Sequence, residues 1–229
     1  MSGTSKRGVA LLFDLDGTLV DSVYEHVSTW HAALEKVGIE LPGYWIHRRI
    51  GMNGPMISRA ALREVGRPMD ESLVEQMVKL HGERFEQFAA EVKPLPGARE
   101  LIHGLHDRKV PLAIATSGKR KGVEPLLKAI ELPKDVPVIS GDDVERPKPH
   151  PDPYLAAAER LGVSMSDCIV IGDSIWDLLA AQRARALGVG LLTGGYGRDE
   201  LERAGAYRVY EDPADLARHL EDVGLIESR

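Results

Sequence analysis

The chain has 229 residues, 43% of them apolar and 28% charged, enough to bury a sizeable core and far from the composition of a disordered segment. Lys and Arg total 29 against 35 for Asp and Glu, a formal charge of -6, so no general basic field draws in nucleic acid or an anionic membrane surface. The apolar runs are too short to span a bilayer, residues 1–7 lack the apolar stretch of a signal peptide, and a single cysteine, Cys168, excludes an intrachain disulfide. The expected setting is therefore the cytoplasm, with Cys168 a small buried hydrophobe in a strand.

Short runs rich in Val, Ile and Leu recur at 9–13, 110–115, 136–139, 168–171 and 189–192, mostly with helical patterns between them. Continuous apolar strands of this kind are covered on both faces, which predicts an α/β fold: a Rossmann-like doubly wound parallel sheet with helices on each side. Ligands of such sheets bind beyond the carboxyl ends of the strands, where Asp14, Thr116, Asp142 and Asp173 fall. The stretch between the first two runs is too long for one crossover helix and is helical in pattern. Val23, Val27, Trp30, Leu34 and Val37 share one face, Ile57, Ala61, Leu62 and Val65 another, and Leu73, Met77, Leu80 and His81 a third. The predicted organisation is a core of residues 1–21 and 92–229 with an inserted all-helical cap of residues 22–91, Pro94, Pro96 and Gly97 marking the return.

Four stations carry chemistry. Asp14-Leu15-Asp16-Gly17-Thr18 follows the first strand: two carboxylates two residues apart can face one pocket, one to attack phosphorus and one to move protons, with Thr18 offering a hydroxyl and an N–H to phosphate. A turn capping the next helix explains the same residues as well. Thr116-Ser117-Gly118 places a hydroxyl and N–H groups at a helix start, an anion site or an ordinary N-cap. In 146–151, Arg-Pro-Lys-Pro-His-Pro, prolines stiffen the chain around Lys148, either to neutralise a nucleophile and a transferring phosphoryl group or merely to make a rigid loop. Gly172-Asp173-Ser174-Ile175-Trp176-Asp177 offers oxygen ligands for Mg2+ together with Asp14, although Asp177 also suits the first turn of a helix.

Taken in this order, the four stations resemble the shared motifs of the haloacid dehalogenase superfamily, and the resemblance covers nearly the whole chain. It implies a Rossmann-like core and a phosphatase that works through an aspartyl-phosphate. Asp14 would be nucleophile and metal ligand, and Asp16 the general acid/base whose carbonyl also reaches the metal. Thr18, Thr116, Ser117 and Gly118 would bind the phosphoryl group, with Lys148 neutralising charge; Asp173 would complete the Mg2+ site and Asp177 would hold that site from behind. Asp16 departs from the dehalogenase branch, which lacks that aspartate and needs no metal, and from the phosphonatase branch, which carries a small residue there.

A helical insertion directly after the first motif is similar to the phosphoglycolate phosphatase and β-phosphoglucomutase group. Mutases there tend to carry a Glu-Asp-Ser fourth motif and an arginine three residues after a cap glycine. Here Gly172 precedes Asp173-Ser174 and Gly54 stands three after Gly51, which favours a phosphatase acting on a small phosphorylated metabolite such as phosphoglycolate or a sugar phosphate. The alternative is a phosphosugar mutase, with Arg48 or Arg49 supplying the cap cation. A non-catalytic binding protein on the same fold is a third reading, though it would ordinarily have lost the nucleophile or the lysine. Trp30, His26, His31 and Met52 are open candidates for lining the cap side. The run Lys119-Arg120-Lys121 reads as a solvated face rather than a nucleic-acid site, Lys119 being placed to attract anions.

Overall fold

The computed structural model describes residues 9–225, so residues 1–7, which lack the apolar stretch of a signal peptide, lie outside the described residues. Six parallel strands form one sheet in the order β3-β2-β1-β4-β5-β6: β1 Ala10–Phe13, β2 Leu112–Ala115, β3 Val138–Ile139, β4 Cys168–Gly172, β5 Leu187–Leu191 and β6 Ala206–Tyr210. Every residue of β1, β2 and β4 is buried, as expected for strands covered on both faces.

The pleat divides these strands between two cores. Leu11, Phe13, Ile114, Ile169 and Ile171 join the layer built with α5 (Ala98–Asp107) and α6 (Arg120–Ala129). Ala10, Leu12, Ala113, Ala115 and Val170 face the other way, onto α7 (Asp152–Leu161) and α8 (Ile175–Ala184). The small alanines on that face let the two helices approach closely, and α8 itself brings Ala180 and Ala181 to the contact. Cys168 is buried in this second layer, as expected. The shorter helices α9 (Arg198–Arg203) and α10 (Pro213–Arg218) cover β5, β6 and α5.

Between β1 and α5 the chain forms α1 (Val23–Lys36), α2 (Gly43–His47), α3 (Gly54–Glu64) and α4 (Glu71–Phe85), the last two capped by Asn53 and Asp70. Trp30, Leu34, Ile46, Ile57, Leu62, Val74 and Met77 make a separate hydrophobic core confined to this insertion. The expected α1 face is found, whereas Val65 ends α3 and is 38% exposed, and α4 buries Val74 beside Met77. The insertion rests on the sheet domain through specific bonds. His47 Nε2 lies 2.8 Å from the Gly194 carbonyl, while Trp176 Nε1 and the Tyr196 hydroxyl donate to the Arg48 carbonyl at 3.2 and 3.1 Å. Among the described residues no helix is long and apolar enough to cross a membrane.

Candidate active site

The strand order reverses between β1 and β4, and the crevice at such a switch point is where open α/β sheets hold ligands. Register delivers the chemistry there. Phe13 pairs with Ile171 and Ile114, so Asp14, Thr116 and Asp173 leave adjacent strands at nearly one level. Asp14 is pinned by its N–H to the Ile171 carbonyl (2.8 Å) and Thr116 by its N–H to Ile139 (2.9 Å). Gly17 makes the turn after Asp16 at φ +81°, and a Cβ there would stand 2.5 Å from Asp173 Oδ2, so the close approach of these two loops requires glycine.

Lys148, on the loop before α7, is fully buried, and its ammonium bonds Asp14 Oδ1 and lies 2.8 Å from Asp177 Oδ1. Burial works against that ammonium, but the charges of Asp14 and Asp177 outweigh it and hold the amine above its usual range. Asp177 is saturated: Oδ1 also accepts from the Tyr154 hydroxyl (2.9 Å), and Oδ2 accepts from the Ser174 hydroxyl (2.5 Å) and N–H (3.3 Å) at the start of α8. Thr18 Oγ1 donates to Asp173 Oδ1 at 3.0 Å and lies 3.4 Å from Asp14 Oδ2.

Asp16 faces the insertion. Its Oδ1 takes the Ser22 hydroxyl at 2.6 Å and lies 3.1 Å from His26 Nε2, and Oδ2 lies 3.5 Å from Thr116 Oγ1. Burial alone would raise this carboxyl; the neighbouring His26 and the Ser22 bond more than offset it, leaving Asp16 below its ordinary value. His26 Nδ1 in turn lies 3.1 Å from His81 Nε2, and both rings stack with Phe85.

Asp14, Asp173 and Asp177 bring carboxylate oxygens within 4.8 Å of one another. Burial, partly offset by Lys148 and reinforced by Asp177 and Asp16, pushes Asp14 up to about 7. Burial and then the charges of Asp177 and Asp14 push Asp173 well above the usual carboxylate range. This buried excess of negative charge, offset by one lysine, together with an all-oxygen donor set, fits a hard divalent cation such as Mg2+. With Asp177 fully bonded to Tyr154, Ser174 and Lys148, Asp14 and Asp173 are the side chains with oxygens to give.

Nearly all the residues expected from the four motifs meet here. Asp142 instead caps α6, accepting from the Arg120 N–H at 2.9 Å. Ser117 Oγ donates to the Gly51 carbonyl of the insertion (2.9 Å), and the Gly118 N–H to Thr116 Oγ1 (3.0 Å). Arg48 pairs with Glu200 and lies over the Tyr196 ring, Arg49 stacks 3.5 Å from the Trp45 ring centroid, and neither lines the cavity in front of Asp14. His31 points to Glu35 on α1, away from the cavity. The roles of His81, Tyr154 and Ser174 were not anticipated from the sequence. Of these, Ser174 left a signal, the Ser-x-x-Asp spacing of a helix start.

The profile of the haloacid dehalogenase-like hydrolases matches residues 9–185. The chain belongs to that family. It is 34% identical over 208 residues to a phosphoglycolate phosphatase of Shigella dysenteriae, covering 82% of each chain. It is 32% identical over 195 residues to a validoxylamine A 7'-phosphate phosphatase of Streptomyces hygroscopicus subsp. limoneus, covering 80% of this chain and 84% of that one. The crystal structure of a hydrolase from Pseudomonas syringae superposes with a TM-score of 0.90 at 44% identity, covering 94% of this chain and 99% of that one. The expected fold and family are thus borne out.

Proposed function

We propose that this phosphatase hydrolyses a small phosphate monoester in two steps through an aspartyl-phosphate on Asp14, with Mg2+ as cofactor. The observation that carries the reading is the buried meeting of Asp14 with Lys148 and Asp173 at the sheet's switch point, with Asp16 alongside but bonded to a different set of partners.

A carboxylate oxygen of Asp14 attacks phosphorus in line, and the ester oxygen departs with a proton from Asp16, which takes that proton up as the negative charge of the bound phosphate raises its carboxyl from the depressed value set by His26 and Ser22. Asp16, now a carboxylate, removes a proton from water as that water attacks the acyl phosphate. Phosphate leaves and Asp14 is restored. The Lys148 ammonium compensates charge on Asp14 and on the transferring group, and the Tyr154 and Ser174 bonds to Asp177 keep that ammonium aimed. Thr18 and Thr116, with Ser117 and Gly118 once released from their present partners, supply donors to the phosphoryl oxygens. Asp14, Asp173 and the Asp16 carbonyl would hold Mg2+, which supplies Lewis-acid stabilisation of phosphoryl charge. The insertion of residues 22–91 acts as the cap over this cavity, and a reducing, cytoplasmic setting suits the buried Cys168.

A mutase reading lacks its cap arginine, since neither Arg48 nor Arg49 lines the cavity. Gly54 has no side chain to grip a second phosphate, and a Cβ there would meet Val78 Cγ2 at 3.0 Å. The test is phosphate release by the purified chain with Mg2+ across phosphoglycolate, hexose phosphates, nucleoside monophosphates and pyrophosphate. Turnover of an ester, abolished in Asp14→Asn and by chelation, is the expected result; an Asp14→Asn protein that keeps metal-dependent turnover rejects the mechanism.

A further inference from the structure

The cavity in front of Asp14 and Asp16 has a volume of about 390 Å³, within the range of sites that enclose whole small molecules and much larger than a two-carbon leaving group needs. Away from the carboxylates its walls include Trp30, Met52, Ile57, Val78, Phe85 and Val123. Several of the polar side chains among them are already committed to the protein, while the Asn53 amide nitrogen keeps its donors free. Both His26 nitrogens face Asp16 and His81, Ser117 Oγ is bonded to the Gly51 carbonyl, and Asn53 Oδ1 accepts from the Met56 N–H. The lining cations, Lys119 and Lys121, sit on the exposed rim, and Lys121 is paired with Glu86 at 2.8 Å.

A polyol leaving group placed here would exchange its water hydrogen bonds for apolar walls, at a cost of several unpaired hydroxyls. A carboxylate-bearing fragment would meet no buried cation beyond Lys148, which Asp14 and Asp177 already hold. An apolar chain or ring loses nothing on entry and gains the burial.

We propose that the leaving group of the substrate is apolar, an alkyl or arylalkyl alcohol, and that the wall from Trp30 to Val123 selects it. This rests on the phosphatase reading and narrows it away from phosphoglycolate and sugar phosphates.

The experiment is a chain-length series of ethyl, butyl and hexyl phosphate, in which alkoxide basicity hardly changes, compared with phosphoglycolate and glucose 6-phosphate, all with the full chain and Mg2+. Burying each methylene raises kcat/KM by about threefold to fourfold. Hexyl phosphate is thus expected to exceed ethyl phosphate on the order of a hundredfold, and to exceed both polar esters. Gly82 offers a second arm: it lies in α4, lines the cavity, and a Cβ there meets nothing within 4 Å. Gly82→Leu fills the space and suits a helix better than glycine, so it keeps its melting temperature while the hexyl-to-ethyl ratio falls by about tenfold or more. Turnover with a flat series, or with phosphoglycolate or glucose 6-phosphate preferred over hexyl phosphate, overturns the apolar leaving group and leaves the phosphatase standing. Failure to hydrolyse any of the five esters overturns this inference, and the phosphatase reading falls with it only when nucleoside monophosphates and pyrophosphate are left intact as well.

Discussion

Tyr154→Phe probes the support beneath the proposed catalytic pair without touching a reacting atom. The Tyr154 ring is fully buried, and its hydroxyl donates to Asp177 Oδ1 at 2.9 Å, the same oxygen that Lys148 approaches at 2.8 Å. Burial and the charge of Asp177 raise the phenol well above its usual range, so it remains a donor at any working pH. Phenylalanine keeps the ring's packing and its position about the Lys148 ammonium, which lies 5.0 Å from the ring centroid. The loss is therefore one hydrogen bond to a charged group, about 1.5–3 kcal/mol. For a chain of this size that corresponds to a fall in Tm of roughly 5–9 °C at the middle of the range. Urea unfolding at unchanged m-value gives the free energy, and steady-state kinetics gives the second readout. With one of its anchors gone Asp177 no longer holds Lys148 against Asp14 as firmly, and kcat falls by about tenfold or less while KM stays close to the parent value. A midpoint and a kcat both indistinguishable from the parent would refute the idea that Tyr154 braces Lys148 through Asp177.

Two further predictions follow from the same region. Gly17→Ala forces an alanine into φ +81° with its Cβ 2.5 Å from both Asp173 Oδ2 and Val23 Cγ2, so a loss of roughly 2–4 kcal/mol in urea unfolding and a drop in kcat of at least about tenfold are expected; a stable, fully active variant contradicts the close approach of the two loops. Burial, and then the nearby His26, lower His81 well below its usual value, so the folded state refuses a proton that the unfolded chain takes up near 6.5. Stability is full above that pH and falls as pH drops below it, by at most about 1.4 kcal/mol per unit from this group. His81→Phe, which keeps the stacking with Trp30 and Phe85, flattens that acid slope when unfolding free energies are compared from pH 7.5 to 5, and equal slopes in the two proteins reject the assignment.

The parts of the site legible in the sequence are those that need only local reading. Asp14, Thr116 and Asp173 each stand at the end of a buried strand whose apolar run is visible by eye, and the fold rule that ligands gather at carboxyl ends brings them together before any contact is known. What escaped was built across helices. His26 reaches His81 over 55 positions, and Tyr154 reaches Asp177 over 23, through packing of whole elements that no spacing encodes. Strand β6 was missed for a different reason: it lies at the sheet edge, and Ala206, Tyr207 and Arg208 keep contact with solvent, so the continuous apolar signature used to find the other strands is absent. Its neighbour β5 begins at Leu187, two residues before the expected start, because Gly188 broke the run there. In the insertion, the expected α3 stripe overran its helix by one position, since Val65 already closes α3 and turns outward.

The order of strands also says when the site can exist during folding. Within the insertion α1 packs on α2 and α3 on α4, near neighbours in the chain, while the pairing of α1 with α4 spans the whole insertion. The sheet centre reaches farther still: Leu11 must find Leu112, and Ala10 must find Cys168, before β1 has a partner on either side. Loop closure over such separations costs chain entropy, and the pairing of β1 with β4 is what brings Asp14 and Asp173 within reach of one another. The mutual repulsion of the carboxylates thus arises only with the pairing of β1 and β4, the same contact that has to bear it.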